Sequence, residues 1–117
     1  MIRIDNRYGT IEVSQEYFRH LVGEAVSSCY GVVGMVSKSP VKGLRSLLGR
    51  GDQVADGVRV RSEGDRLVVD IHIEVVFGMN ISAIAKSIVN KVRYTVEEAT
   101  GLTVKKVNVF VDGIQPE

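Results

Sequence analysis

The stretch 67–77 constrains the fold of this chain more than any other. Leu67, Val69, Ile71, Ile73, Val75 and Phe77 alternate with a second set that includes Asp70, His72 and Glu74. A period of two is what a half-buried strand requires, because successive side chains leave opposite faces. Just upstream, 57–63 carries Val58 and Val60 in the same alternation, and Glu63-Gly64-Asp65-Arg66 joins the two runs. A two-residue Gly-Asp loop suits a type II′ turn, whose first central position needs positive φ. That loop sets Val60 opposite Val69, Val58 opposite Ile71 and Arg59 opposite Asp70. Apolar then meets apolar and charge meets opposite charge, at about 0.2–1 kcal/mol per pair.

Two helices flank this hairpin. Ser14 is an N-cap residue, with Glu16 in the first turn where the helix dipole favours negative charge. Phe18, Leu21, Val22, Ala25, Val26 and Cys29 then recur at helical spacing to about residue 29, with Gly23 on the polar side and Gly31 as the stop. Asn80 caps the second helix, where Ile81, Ile84, Ala85, Ile88, Val89, Val92, Val96 and Ala99 form the apolar stripe and Gly101 ends it. Residues 8–13, 32–37 and 103–112 read as further strands. The order β-α-β-β-β-α-β predicts an α+β fold, a two-layer sandwich with a mixed, mainly antiparallel sheet and two amphipathic helices on one face.

With 117 residues the chain is expected to be one domain, 1–117, with a basic connecting segment at 38–56. Hydrophobic residues at 44% exclude a disordered composition, and a net charge of +1 announces no global attraction to nucleic acid or membrane. No apolar run reaches the ~20 residues of a span. The lone Cys29 excludes an internal disulfide; it continues the apolar stripe and reads as a core thiol. His20, between Glu16 and Glu24, reads as a solvated ion-pair partner.

Asp70, His72 and Glu74 share one strand face at ~7 Å spacing, so two of them would reach one cation, but no other element signals a further ligand. The outer face of a sheet with cross-strand partners is the preferred reading. Gly31-Val-Val-Gly34 matches the Gly-x-x-Gly of a nucleic-acid clamp, yet its valines belong to a strand pattern. No phosphate loop, nucleophile elbow or zinc spacing occurs. The residues therefore specify a non-catalytic module with no cofactor.

One segment stands out. Lys38, Lys42, Arg45 and Arg50 give 38–50 four cations and no anion, and Leu44, Leu47 and Leu48 have the spacing of an apolar edge beside them. This is the candidate partner-binding surface. The alternative is a nucleic-acid patch extended by Lys86, Lys91 and Arg93. The near-neutral charge and the lack of stacking aromatics argue against it. A metal-dependent enzyme using Asp70, His72 and Glu74 ranks third.

Several motifs stand in a familiar order: 8–14 before the first helix, Gly31-Val-Val-Gly-Met35, 43–50, Val75-Val-Phe-Gly-Met-Asn-Ile81, 96–104 and Val107-Asn-Val-Phe-Val-Asp-Gly113. Together they resemble the alkaline shock protein family of Gram-positive bacteria, also called envelope-stress-response or YloU-like, over nearly the whole chain. The resemblance implies a small cytoplasmic protein without catalytic residues. It implies protein partners, including a membrane-anchored one that would hold the chain at the inner membrane face, and a link to envelope stress. The start close to the first strand resembles the family's short branch. Sheet edges would allow a homo-oligomer.

Overall fold

Every strand of the main sheet is built on the alternating segment. The computed structural model describes residues 1–35 and 57–116. In chain order these form β1 (Ile2–Asn6), β2 (Gly9–Val13), α1 (Gln15–Ser27), β3 (Val32–Met35), β4 (Val58–Glu63), β5 (Arg66–Val76), α2 (Ile81–Thr100) and β6 (Thr103–Gln115). β6 runs parallel to β5 along its whole length, from Arg66↔Thr103 to Val76↔Gln115. β4 and β3 pair antiparallel with β5 over 66–71 and 73–75. Those two stretches do not overlap, so β4 and β3 follow one another along the edge that β6 leaves. The parallel pairing requires a crossover, which α2 supplies. The sheet is mixed, as the order of elements implies.

The expected hairpin register holds residue for residue: Val58↔Ile71, Arg59↔Asp70, Val60↔Val69 and Glu63↔Arg66. Gly64 has φ 65° and no non-glycine residue among the described ones has positive φ, which leaves Asp65 negative and fits type II′ rather than type I′. Both N-caps form as their side chains dictate. Ser14 Oγ accepts from the Tyr17 amide at 3.1 Å, and Asn80 Oδ1 accepts from the Ala83 amide at 3.0 Å. Gly101, left-handed at φ 73°, closes α2 with its N–H on the Glu97 carbonyl.

Four expectations need correction. Residues 2–6 form a strand, β1, which pairs with β2 through the two-residue loop Arg7-Tyr8 in a separate two-stranded sheet. Ile2 and Ile4 of β1 are buried, whereas Ile11 of β2 is exposed. The short alternation Ile2-Arg3-Ile4-Asp5 carries this signal. Phe77 lies one residue past the end of β5, where the sheet no longer shields it, and is 67% exposed. Gly23 is buried within α1. β6 extends to Gln115 because β5 offers it backbone partners that far.

The core joins both sheets and both helices. Ile2 and Ile4 share it with Phe18, Val22 and Val26 of α1, with Val69, Ile71 and Ile73 of β5, and with Ile84, Ile88, Val92 and Val96 of α2. No helix among the described residues is long and apolar enough to cross a membrane.

Candidate functional site

The chemistry-bearing residues gather on the sheet face turned away from α1 and α2. Since alternate residues of β5 leave opposite faces, burial of Leu67, Val69, Ile71, Ile73 and Val75 against the helices sends Asp70, His72 and Glu74 to the other side. Each then meets a partner from a neighbouring strand. Asp70 Oδ1 accepts from Asn108 Nδ2 at 2.8 Å, and its other oxygen lies 3.7 Å from Arg61 Nε. Arg59 is opposite Asp70 by register, so this charge contact runs along the diagonal to Arg61.

His72 is the centre of the ladder. Its Nδ1–H donates to Asp112 Oδ2 at 2.6 Å, a charge-assisted bond to a carboxylate acceptor. Its ring stacks on Phe110, with centroids 4.6 Å apart and planes 15° from parallel. Glu74 Oε1 accepts from Gln115 Nε2 at 2.8 Å. At the turn end, Glu63 binds Lys105 and Arg61, both at 3.0 Å. The bond from Lys105 and its charge hold the Glu63 carboxyl below its ordinary value, and Arg61 adds to this.

These pairs lock Asp70, His72 and Glu74 into three separate cross-strand contacts. They do not converge on one point. Among the described residues no group of three or more His, Cys, Asp or Glu is placed to hold a metal ion. Asp70 and His72 expose less than a fifth of their side chains, 19% and 16%. Among the described residues the face is thus largely polar, with Val68 buried within it and the Phe110 ring exposed beside His72.

The remaining sequence candidates separate. Lys38, Lys42, Leu44, Arg45, Leu47, Leu48 and Arg50 lie outside the described residues. Lys86, Lys91 and Arg93 are exposed on α2, but at ~100° per residue Lys91 stands well round the helix from the other two. That helix therefore does not gather the three into one patch. His20 sits 3.9 Å from Glu16 Oε1 in solvent. Cys29 is half-buried against the core, its thiol 3.5 Å from the Ala25 carbonyl. Gly31 immediately precedes β3 and Gly34 lies inside it, so the pair does not join two helices.

Two features escaped the sequence. The Asp112 partner of His72 depends on the parallel alignment of β6, which crosses a 20-residue helix and carries irregularities near 67/68 and 73/74 of β5. Gln15 clamps β4: its side-chain amide donates to the Val60 carbonyl, and its Oε1 accepts from the Val60 amide at 3.2 Å. Nothing in local sequence distinguishes such a glutamine from any other first-turn polar residue.

Comparison with known proteins places this architecture. The chain is 40% identical to YloU of Bacillus subtilis (strain 168) over 115 residues, covering 97% of this chain and 95% of that one. It is 35% identical to Spy1614 of Streptococcus pyogenes serotype M6, covering 97% and 94%. Among solved structures, the MamM CTD superposes with a TM-score of 0.51 at 17% identity, over 86% of this chain and 99% of that domain. At that identity the likeness is one of fold. The family model for alkaline shock proteins, described as having a cell envelope-related function, matches residues 3–116. With the match spanning both sheets and both helices, this chain belongs to the alkaline shock protein family.

Proposed function

We propose that this chain is a non-catalytic protein-interaction module that serves the family's envelope-related function as a scaffold. The observation that carries the reading is the state of the ionisable groups on the open sheet face. Asp70, His72 and Glu74 each hold a cross-strand partner at 2.6–2.8 Å. Groups so engaged stiffen a surface. General acid–base or metal chemistry needs side chains that converge on a reacting atom.

The partner is a protein, one of them membrane-anchored, and the chain meets it from the cytoplasmic side. The basic, leucine-bearing segment 38–50 supplies the contact, with Arg45 and Leu48 as its charged and apolar anchors. The test is affinity capture from native cell extract. The wild type recovers a defined partner, while R45E with L48E keeps the wild-type circular dichroism and loses that partner. Equal recovery by the double variant would remove the segment from the interface. Turnover of a small molecule, abolished by His72→Ala, would overturn the non-catalytic reading itself.

A further inference from the structure

The two outer edges of the main sheet are treated differently. On β4 the outward amide and carbonyl of Val60 are both taken by the Gln15 side chain, which blunts that edge. β6 presents 13 residues and pairs with β5 alone among the described residues; a side chain, Glu97, takes the Val104 amide near its start, ahead of the stretch 106–112. At ~3.3 Å per residue this edge is ~43 Å long. Its helix-side residues Val107, Val109 and Val111 are only half-buried, while Val69, Ile71 and Ile73 beside them on β5 are fully buried. The core therefore reaches the β6 edge as an apolar rim.

We propose that a second copy of this chain covers the edge, β6 against β6, antiparallel about a two-fold axis at Val109. The charge pattern selects this occupant and this register. With Val109 opposite itself, Lys106 faces Asp112 of the other copy on the open face, twice by symmetry. Val107 faces Val111 on the helix side, and Asn108 faces Phe110 on the open face. The irregularities of β6 are close to symmetric but not matched: the extra residues Lys105 and Asp112 lie four and three positions from Val109. A one-residue slip would set the valines against the polar set, and a two-residue slip would part lysine from aspartate. Lysines on an edge normally discourage pairing; here Asp112 makes them selective for one antiparallel partner.

α2 supports the same axis. Tyr30, at the end of α1, borders a shallow hollow with Ala83 and Ser87 on one flank of α2. Glu97, which reaches over to accept from the Val104 amide of β6, marks the opposite flank. That flank carries Ser82, Ala85 and Val89, with Lys86 and Asn90 lining the same hollow, so two copies of α2 would meet across small residues rimmed by polar ones.

Sedimentation equilibrium of the wild type, K106E and the swap K106E/D112K tests this. The wild type is expected at twice the 12.8 kDa chain mass. K106E sets carboxylate against carboxylate at both ends and weakens the dimer roughly tenfold or more. The swap restores the attraction and the dimer. A monomeric wild type, or K106E dimerising as tightly as wild type, overturns the proposal. Because Asp112 also holds His72, hydrogen exchange of the wild type gives an independent reading. Amides of 106–112 should gain protection as protein concentration rises, and protection gained on β1 and β2 instead would place the interface elsewhere and overturn it.

Discussion

Gly31 and Gly64 both adopt positive φ, at 90° and 65°, yet they answer to different constraints. A Cβ on Gly64 would meet nothing within 4 Å, so only the backbone conformation requires glycine there. A Cβ on Gly31 would stand 2.7 Å from Ile84 Cδ1 and 3.2 Å from Met79 Cε. Ile84 is itself buried in the core and has little room to withdraw. The Gly31 carbonyl also accepts from the Val76 amide, which ties the residue to the end of β5. Gly64→Ala should therefore cost about 1 kcal/mol, the left-handed penalty alone. Gly31→Ala should cost about 2 kcal/mol or more, since overpacking adds to that penalty. Urea midpoints of the two variants check the order, and equal losses would mean that Ile84 repacks freely. The turn role of Gly64 was legible from its neighbours in sequence. The close approach at Gly31 was not, because Ile84 lies more than fifty residues away.

At the level of elements the same divide appears. The β4–β5 hairpin was legible to the residue, since a two-residue loop leaves only one register that satisfies both faces. The caps of α1 and α2 were legible because capping is a local competition for backbone donors. β1 was missed: a five-residue strand gains its stability from Ile2 and Ile4 entering a core built by distant segments. The seven residues of the candidate segment stand where the sequence left them, whereas the open sheet face could be placed but its partners could not. The Gln15 clamp belongs to this non-local class and yields a direct prediction. Gln15→Ala leaves the outward Val60 amide without its partner, at about 1–2 kcal/mol of stability. The exchange rate of the Val60 amide should rise selectively, while the Val69 amide on the adjacent strand keeps its protection. Unchanged exchange at Val60 would mean that the clamp does not shield β4.

For the whole molecule, the question is whether two sheets make one cooperative unit. β1 and β2 hydrogen-bond only to each other among the described strands, so their ladder could open independently. Packing argues otherwise. Ile2 and Ile4 are each 2% exposed and join the cluster that contains Phe18, Val60 and Ile88. Burial of an isoleucine side chain stabilises by roughly 1.5–3 kcal/mol, more than a two-stranded ribbon gains alone. The hairpin is thus held by the core, and the core is incomplete without it. Ile4→Ala should lower global stability by about 2–5 kcal/mol, the same range as Ile88→Ala in the centre of α2. Both variants should unfold in one denaturant transition, monitored together by circular dichroism and by tyrosine fluorescence. Tyr8 in the β1–β2 loop and Tyr94 on α2 report from opposite ends of the chain. If the Tyr8 environment changes at lower urea than the helical signal, the hairpin is a satellite that frays alone. Coincident curves, with Ile4→Ala shifting both, require the small sheet to be part of the same cooperative unit as the main sheet and both helices.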